Sequence, residues 1–233
     1  MKNTRRTPPV SDIRIARERE RFRTNRESIL HAAEAVVCRK GLDAASMDDV
    51  AAEAGFSKAT LYRYVRGKGE LVFELLIHFL EDLDVRLNSI VSGPGDPSAK
   101  LLALLREVVH FQSEKENLSK VFVSDASFLR VIRVVVVDRG KPASKSERDF
   151  LRRLGAAREA VLAEAETLLR EGIASGVFRP LDVKTAAFYI GAVVQGYLHE
   201  KIWLESKPNV ENDVLNIHAF ILRGLEARPR DQA

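Results

Sequence analysis

Apolar residues recur at helical spacing along most of this chain. The clearest run lies between residues 67 and 91, where one helix face carries Leu71, Leu75, Phe79, Leu83 and Leu87. A helix of that length spans roughly 35 Å. Further helices are predicted at residues 98–115, 117–137, 146–175, 182–206 and 210–226. The valines at 134–137 favour a strand, but a lone strand would have no partner, so the pattern predicts an all-α fold.

Capping motifs locate shorter helices before residue 67. Thr24 and Glu27 form a capping box, which predicts a helix that begins at Thr24 and stops at Gly41. Ser46 and Asp49 form a second box and open a short helix. A third helix follows, so that three short helices fit within about 45 residues.

The residue types between positions 47 and 65 are those of a helix-turn-helix. Ala51 is small enough for two crossing helices to touch, and Gly55 lies at the turn, where a positive φ is expected. Ser57 caps the following helix, which is predicted to run to about residue 65. The positions expected to face inward are Val50, Ala54, Phe56, Leu61 and Tyr64. Those expected to face outward are Lys58, Ala59, Thr60, Tyr62 and Arg63. The outward set combines phosphate donors, short side chains and an aromatic ring.

Positive charge is concentrated at the N-terminal end of a chain whose net charge is +4. The first 26 residues contain nine basic and three acidic residues, and residues 57–68 contain four basic residues and no acid. From residue 73 onward, 22 basic residues face 23 acidic ones. A basic tail alone is more often merely solvated, but the second, acid-free cluster indicates a module that meets a polyanion.

The stretch from Ser46 to Leu71 closely resembles the DNA-binding domain of TetR-type (TetR/AcrR family) transcriptional repressors. The likeness covers about residues 24–76 and includes Thr60-Leu61-Tyr62, Tyr64 and Lys68. Gly69 departs from the family pattern, which usually has a helix-favouring charged residue there. The resemblance implies a homodimer whose two third helices enter successive major grooves of a palindromic operator, and a repressor that a small-molecule effector releases.

The resemblance also implies roles for individual residues. Bases or neighbouring phosphates would be contacted by Lys58, Ala59, Thr60 and Tyr62. The DNA backbone would be held by Ser46, Ser57, Tyr64 and Lys68, and Arg63 would do either. The implied domains are a basic extension (1–22), a helix-turn-helix domain (23–70) and a helical ligand-binding and dimerisation domain (71–228). The arginines of the extension are expected to follow phosphates or to enter the minor groove.

The helix predicted at 182–206 carries no charge in the thirteen positions from 186 to 198, so it needs burial on two sides. Two small-residue pairs, Ala187 with Gly191 and Ala192 with Gly196, would let another helix approach closely. The expected subunit interface consists of Ala187, Gly191, Val194, Leu198, Val214, Ile217 and Ile221. The alternative is a central helix buried within a monomer.

An effector pocket is expected among the C-terminal helices. The candidate lining for an apolar or aromatic effector is His78, Phe79, His110, Phe111, Phe122, Phe128, Arg133, Tyr189 and Gln195. The alternative is that these aromatic residues are ordinary core. A second alternative keeps the DNA-binding module but makes the protein an architectural or constitutive binder without an effector.

The motifs that other protein classes require are missing from this sequence. His199 and Glu200 begin like a zinc-protease motif, but position 203 is tryptophan, so the second histidine ligand is missing. No nucleophile elbow or phosphate loop is present, so neither an enzyme nor a cofactor or metal is expected. Cys38, the single cysteine, excludes a disulfide scaffold, and its apolar neighbours favour an inert thiol over a redox sensor. Without a signal peptide or membrane-length apolar run, a cytoplasmic protein is expected.

Overall fold

A computed structural model describes residues 10–124, 145–203 and 209–226. Within these ranges the chain is helical, with a lone β-bridge between Phe178 and Glu226, and the all-α prediction is confirmed. The helices are α1 (Val10–Lys40), α2 (Met47–Glu53), α3 (Lys58–Leu61), α4 (Lys68–Val91), α5 (Pro97–Glu114), α6 (Glu116–Ser124), α7 (Lys145–Ala174), α8 (Val183–Trp203) and α9 (Val210–Leu225). They belong to two compact units, Met1–Leu75 and Leu76–Ala233. Among the described helices, none combines the length and apolarity needed to cross a bilayer.

Helix α1 begins at Val10, so the predicted start at Thr24 is wrong. The backbone carbonyl of Thr24 accepts a hydrogen bond from the Ser28 hydroxyl at 3.0 Å, which is a contact of the helix interior. The residues before Thr24 are mostly good helix formers, and an ion pair between Glu20 and Arg23 at 2.7 Å supports the helix there. A capping-box sequence therefore lies here inside a continuous helix.

The caps of α2 and α3 form as the sequence predicts. The Ser46 hydroxyl accepts from the Asp49 amide at 3.1 Å, and the Asp49 carboxylate accepts from the Ser46 amide at 3.1 Å. Gly55 has a φ of 69°, which confirms the expected left-handed turn. The Ser57 hydroxyl accepts from the Thr60 amide at 3.1 Å and starts α3.

Helix α3 ends at Leu61, four residues earlier than predicted. After Leu61 the backbone tightens, because the amides of Arg63 and Tyr64 donate to carbonyls three residues back instead of four. Of the positions expected to face inward, Val50 and Leu61 are buried, whereas Ala54, Phe56 and Tyr64 are half-buried. The first unit closes its core with apolar residues of α1 and of the start of α4, among them Ile29, Ala33, Val36, Leu71 and Leu75.

In the second unit, a buried cation joins three helices. The Lys100 ammonium, on α5, donates to the Val91 carbonyl at the end of α4 and to both carboxylate oxygens of Glu171 on α7, each at 3.0 Å. Lys100 is almost wholly buried, so these three acceptors replace the water that its charge loses. The predicted break after residue 91 is confirmed, since Asp96 caps α5 and Pro97 opens it.

The link between α7 and α8 is held against the end of α9. The Phe178 ring packs so closely on Gly172 that any Cβ there would collide with the ring. The Phe178 amide donates to the Gly172 carbonyl at 2.9 Å, and the Arg179 amide donates to the Leu225 carbonyl at 2.8 Å. These contacts join the end of α7 to the end of α9.

The predicted helix at 117–137 is described only as far as Ser124, and the valines at 134–137 lie outside the described residues.

Candidate nucleic-acid interface and effector cavity

One face of α3 and the turn after it is open to solvent. Lys58, Ala59, Tyr62 and Arg63 are exposed, and Thr60 is half-buried. We call these five residues the reading surface. Tyr62 is 44% exposed, which is unusual for a large aromatic side chain without a partner surface. The fold therefore presents together the five side chains that the sequence predicts to face outward.

Lys58, one of the two cations of the reading surface, forms an ion pair with a neighbouring acid. The Lys58 ammonium lies 2.8 Å from a carboxylate oxygen of Asp48, at the start of α2, and both side chains are more than half exposed. The hydrogen bond to Asp48 raises the pKa of Lys58. A phosphate that Lys58 contacts would have to compete with Asp48 for the same cation.

The serines assigned to the DNA backbone are engaged in caps. The Ser46 hydroxyl donates to the Asp49 carboxylate at 2.7 Å, and the Ser57 hydroxyl lies 2.9 Å from the Thr60 hydroxyl. Hydrogen bonds from Lys40 and then from Ser46 lower the pKa of Asp49 to about 2. The Ser46 hydroxyl proton is therefore engaged with Asp49, and its predicted phosphate contact would require this one hydrogen bond to break while the two amide bonds of the cap remain.

Tyr64 and Lys68 connect the elements around the reading surface. The Tyr64 hydroxyl accepts from the Asn25 amide at 2.9 Å, and its ring centroid lies 4.6 Å from that of Phe22. The Lys68 ammonium donates to the Asp43 carbonyl at 3.0 Å and fixes the loop between α1 and α2. Both side chains hold this domain together, which sequence reasoning missed because their partners lie 39 and 25 residues away.

The unusual Gly69 does not delay the start of α4. The helix begins at Lys68, one residue before the glycine. The Glu70 carboxylate accepts a hydrogen bond from the Arg66 amide at 2.7 Å and thereby stabilises the first turn. The start of the long helix is thus fixed despite the flexibility that glycine adds.

The second unit contains a cavity of about 740 Å³ between α4, α5, α7 and α8. Its walls are mainly leucine, valine, alanine and phenylalanine, and the described lining contains no carboxylate. Phe79 and Gln195, two of the predicted lining residues, border this cavity. Its other polar side chains are Gln112, Ser119, Arg158 and His199. This volume lies in the range of small-molecule pockets, about 300–1,000 Å³.

Several predicted lining residues lie elsewhere. Phe111 is fully buried between Phe79, at 4.8 Å between ring centroids, and the Arg86 guanidinium, 4.8 Å above its ring. His78 faces the Asp82 carboxylate at 3.7 Å, outside the cavity lining. Neither His78 nor Phe111 borders this cavity, and their pocket role stays a prediction. Phe111 is enclosed as core by Phe79 and by the Arg86 guanidinium.

The remaining predicted lining residues divide into two groups. His110 is exposed on α5, and Tyr189 is exposed on α8, where it borders a second groove. Neither borders the large cavity. The side chains of Phe122, Phe128 and Arg133 lie outside the described part of the chain.

The residues predicted for the subunit interface lie inside the protomer. Ala187, Gly191, Val194 and Leu198 border the cavity. Val214 and Ile221 are buried and Ile217 is half-buried. These residues are largely covered by the protomer's own helices, and the interface predicted for this face of α8 and α9 stays a prediction.

The opposite face of α8 and α9 is apolar and open. Tyr189 on α8 and Phe220 on α9 are exposed, and Phe220 reaches 69%. Phe188 is also exposed, but it borders the large cavity. A groove of about 670 Å³ runs between the two helices and is bordered by Tyr189, Val193 and Phe220 among others. The sequence indicates two apolar faces on α8, because residues 186–198 carry no charge. Periodicity does not tell which of the two faces packs inside the protomer.

Comparison with known proteins matches this architecture. Residues 29–75 match the family model of bacterial regulatory proteins, tetR family. The HTH-type transcriptional repressor KstR2 of Mycolicibacterium smegmatis is 27% identical over 161 residues, which cover 69% of this chain and 71% of that protein.

Two solved structures share the fold. The TetR family transcriptional regulator PfmR of Thermus thermophilus superimposes with a TM-score of 0.59 and 26% identity, over 85% of this chain and 99% of that one. The transcriptional regulator FadR of Bacillus subtilis, in complex with stearoyl-CoA, has a TM-score of 0.63 and 17% identity, over 85% and 98% of the two chains. These relatives are transcriptional regulators and not enzymes.

Proposed function

From the premise that this chain is a TetR-type transcriptional regulator, we propose that it binds a palindromic DNA operator as a homodimer, represses transcription from it and is released by a small-molecule effector. The observation that carries the proposal is the reading surface, with its exposed Lys58 and Tyr62 beside the positive-φ turn at Gly55. Because its proposed target is operator DNA, we expect the protein to act in the cytoplasm.

Within the reading surface, we assign base contacts to the small side chains and phosphate contacts to the charged ones. Ala59 and Thr60 are short, so they allow α3 to approach base edges closely, and the Thr60 methyl suits a thymine methyl. Lys58 and Arg63 neutralise phosphates on either side. Tyr62 adds an aromatic contact to a thymine methyl or a phosphate. Binding requires Lys58 to exchange its ion pair with Asp48 for a phosphate.

We assign Ser57, Tyr64 and Lys68 mainly to holding the reading surface in place. Their side chains cap α3, join it to α1 and fix the loop before α2. Ser46 supports the same geometry through its capping box. Their effect on DNA binding then runs through the position of α3, in addition to any phosphate that they contact directly.

The open face of α8 and α9 is proposed as the dimer interface. The groove of this face is also bordered by Arg179, Asp182 and Arg223. Regulators of this family act as dimers, and the exposed Tyr189 and Phe220 form the kind of apolar aromatic surface that obligate dimers cover. A second copy of the chain, packing α8 and α9 against their equivalents, would bury them by twofold symmetry.

The 740 Å³ cavity is proposed as the effector site. Its apolar walls suit an apolar or aromatic body, and its polar border of Arg158, Gln195 and His199, with no carboxylate in the described lining, suits a neutral or anionic end group. The stearoyl-CoA complex of the similar FadR is consistent with a long apolar ligand. A ligand packed against α4 would change operator affinity by preferring one pose of that helix. The cavity favours an effector-controlled regulator over a constitutive architectural binder.

The direct test is a mobility shift with the full chain and its own upstream DNA. We expect a specific complex that competitor DNA does not remove. Lys58→Ala and Tyr62→Ala should each weaken it at least tenfold while circular dichroism stays unchanged. The matched control is Lys184→Ala, which removes an exposed lysine of the second unit. Unchanged binding by both reading-surface variants would overturn the proposal.

A further inference from the structure

The part of α1 before Thr24 forms a helical arm that the family model does not cover. This N-terminal arm, residues 10–23, belongs to the continuous helix Val10–Lys40, whereas the family match begins at residue 29. At about 1.5 Å per residue the arm is about 20 Å long. Every side chain described from Arg14 to Arg23 is exposed, so the arm beyond its base at Phe22 is open to solvent.

The arm is cationic and lacks an apolar stripe. Between residues 14 and 23 it carries five arginines and two glutamates, and Glu20 is paired with Arg23 at 2.7 Å. Arg14, Arg17 and Arg21 are spaced by three and four residues, so they lie along one side of the helix. A helix that is polar on all sides faces solvent or binds a charged partner.

The base of the arm is fastened beside the reading surface. The Phe22 ring stacks on Tyr64, and Asn25 donates to the Tyr64 hydroxyl. Arg26 is paired with Glu74 at the beginning of α4. Tyr64 follows Tyr62 of the reading surface by two residues, so these contacts set the arm's base at a fixed place relative to α3.

We propose that the N-terminal arm lies along the phosphate backbone of the DNA that flanks the operator, as a cationic rod that lengthens the bound site. This inference rests on the proposed operator binding. Duplex DNA carries one negative charge per about 1.7 Å of its axis, so an arm of about 20 Å passes many phosphates. A helix is about 10–12 Å wide, whereas the minor groove is about 6 Å wide, so the helical arm favours phosphate contacts over insertion into that groove.

An anionic membrane is the competing partner for a basic helix. Helices that lie on membranes bury a continuous apolar face in the lipid. Between Arg14 and Arg23 the large exposed apolar side chains are Ile15 and Phe22, each about half exposed, and the Phe22 ring is stacked on Tyr64. Two such side chains do not form a continuous apolar face. The composition therefore fits a phosphate backbone better than a lipid surface.

The test uses the full chain and a triple variant, Arg14→Gln, Arg17→Gln and Arg21→Gln. Glutamine keeps nearly the helix propensity of arginine, so the arm stays helical while it loses charge. Arg148→Gln, Arg152→Gln and Arg170→Gln, exposed on α7, form the matched control. Affinity is measured against salt on two duplexes, the operator alone and the operator with about one helical turn added on each side.

We expect the wild-type protein and the control to bind the longer duplex at least threefold more tightly. The triple variant should bind both duplexes equally, and its slope of log affinity against log salt should fall by about 0.9 per lost phosphate contact. A triple variant with the wild-type slope and length dependence would overturn the inference. So would arm-dependent binding to phosphatidylserine vesicles without an arm-dependent effect on DNA. If wild-type protein binds neither duplex, the proposed function itself has failed.

Discussion

The hydroxyl of Tyr64 and the side-chain amide of Asn25 meet at 2.9 Å, although 39 residues separate them. This hydrogen bond connects the middle of α1 with the turn that follows α3. The stacking of Phe22 on the same Tyr64 ring adds a second contact. Tyr64 therefore joins the arm, the helix bundle and the reading surface, and several predictions about DNA binding depend on it.

Tyr64→Phe should lower both stability and operator affinity modestly. It keeps the ring that stacks on Phe22 but leaves the half-buried Asn25 amide without its acceptor. We expect unfolding free energy to fall by about 1 kcal/mol, measured by urea denaturation. Tyr62→Phe is the control, since the exposed Tyr62 hydroxyl should not matter for stability. Equal stability of Tyr64→Phe and wild type would contradict the role assigned to this hydroxyl.

Asp48→Asn should strengthen operator binding. The substitution frees Lys58 from its ion pair and removes a negative charge that lies close to the DNA. We expect a two- to tenfold gain in affinity by fluorescence anisotropy at low salt, which shrinks as salt rises. The melting temperature should barely change, because an exposed ion pair contributes little to stability. Glu53→Gln, which loosens the exposed pair with Arg39, is the control that should leave affinity unchanged.

Phe220→Glu should convert the dimer into a monomer. Phe220 is 69% exposed on the open face of α8 and α9, so a carboxylate there is harmless to the protomer but would be buried unpaired in a dimer. Light scattering should give a mass near 26.1 kDa for the variant and twice that for wild type. Val85→Glu is matched in exposure, also 69%, and should stay dimeric. A wild-type monomer at micromolar concentration would contradict the interface.

Gly191→Met should fill the effector cavity. Gly191 borders the cavity, and a Cβ there would meet the Leu162 side chain at an ordinary 3.6 Å. We expect the variant to bind the anionic aromatic probe 1-anilinonaphthalene-8-sulfonate at least fivefold more weakly than wild type, while operator binding persists. Gly155→Met, on α7 with open space around its Cβ, is the control. Equal probe binding by Gly191→Met and wild type would mean that the probe's site lies outside this cavity.

Local signals in the sequence predicted much of the fold. The capping residues Ser46 and Ser57, the turn at Gly55 and the helix at 68–91 are set by neighbours within a few residues, and all of them form. The start of α1 was not predictable from Thr24, because a capping-box pattern is equally compatible with a helix interior. The early end of α3 depends on whether the amides of Arg63 and Tyr64 donate to carbonyls three or four residues back, and residue composition does not determine this.

The sequence predicts the reading surface better than it predicts the cavity lining. The reading surface follows from helical spacing, since α3 has one side against the core. The cavity lining does not, because an aromatic residue such as Phe111 serves equally well as core and is enclosed here by Arg86 and Lys115. The interface is undetermined from sequence for a related reason. Ala187 and Tyr189 lie two residues apart on a helix stretch without charge, and only the packing of α8 on its neighbours decides that Ala187 is internal and Tyr189 is open.

The buried ammonium of Lys100 has a mechanical consequence. Because it ties the Val91 carbonyl to Glu171, the last turn of α4 is pinned to α5 and α7. The α4 residues that line the cavity run from Leu76 to Leu87, ahead of that pin. A ligand bound in the proposed effector site would therefore meet a helix whose last turn is held in place, so the lining segment would have to tilt about residue 91 instead of sliding along its axis.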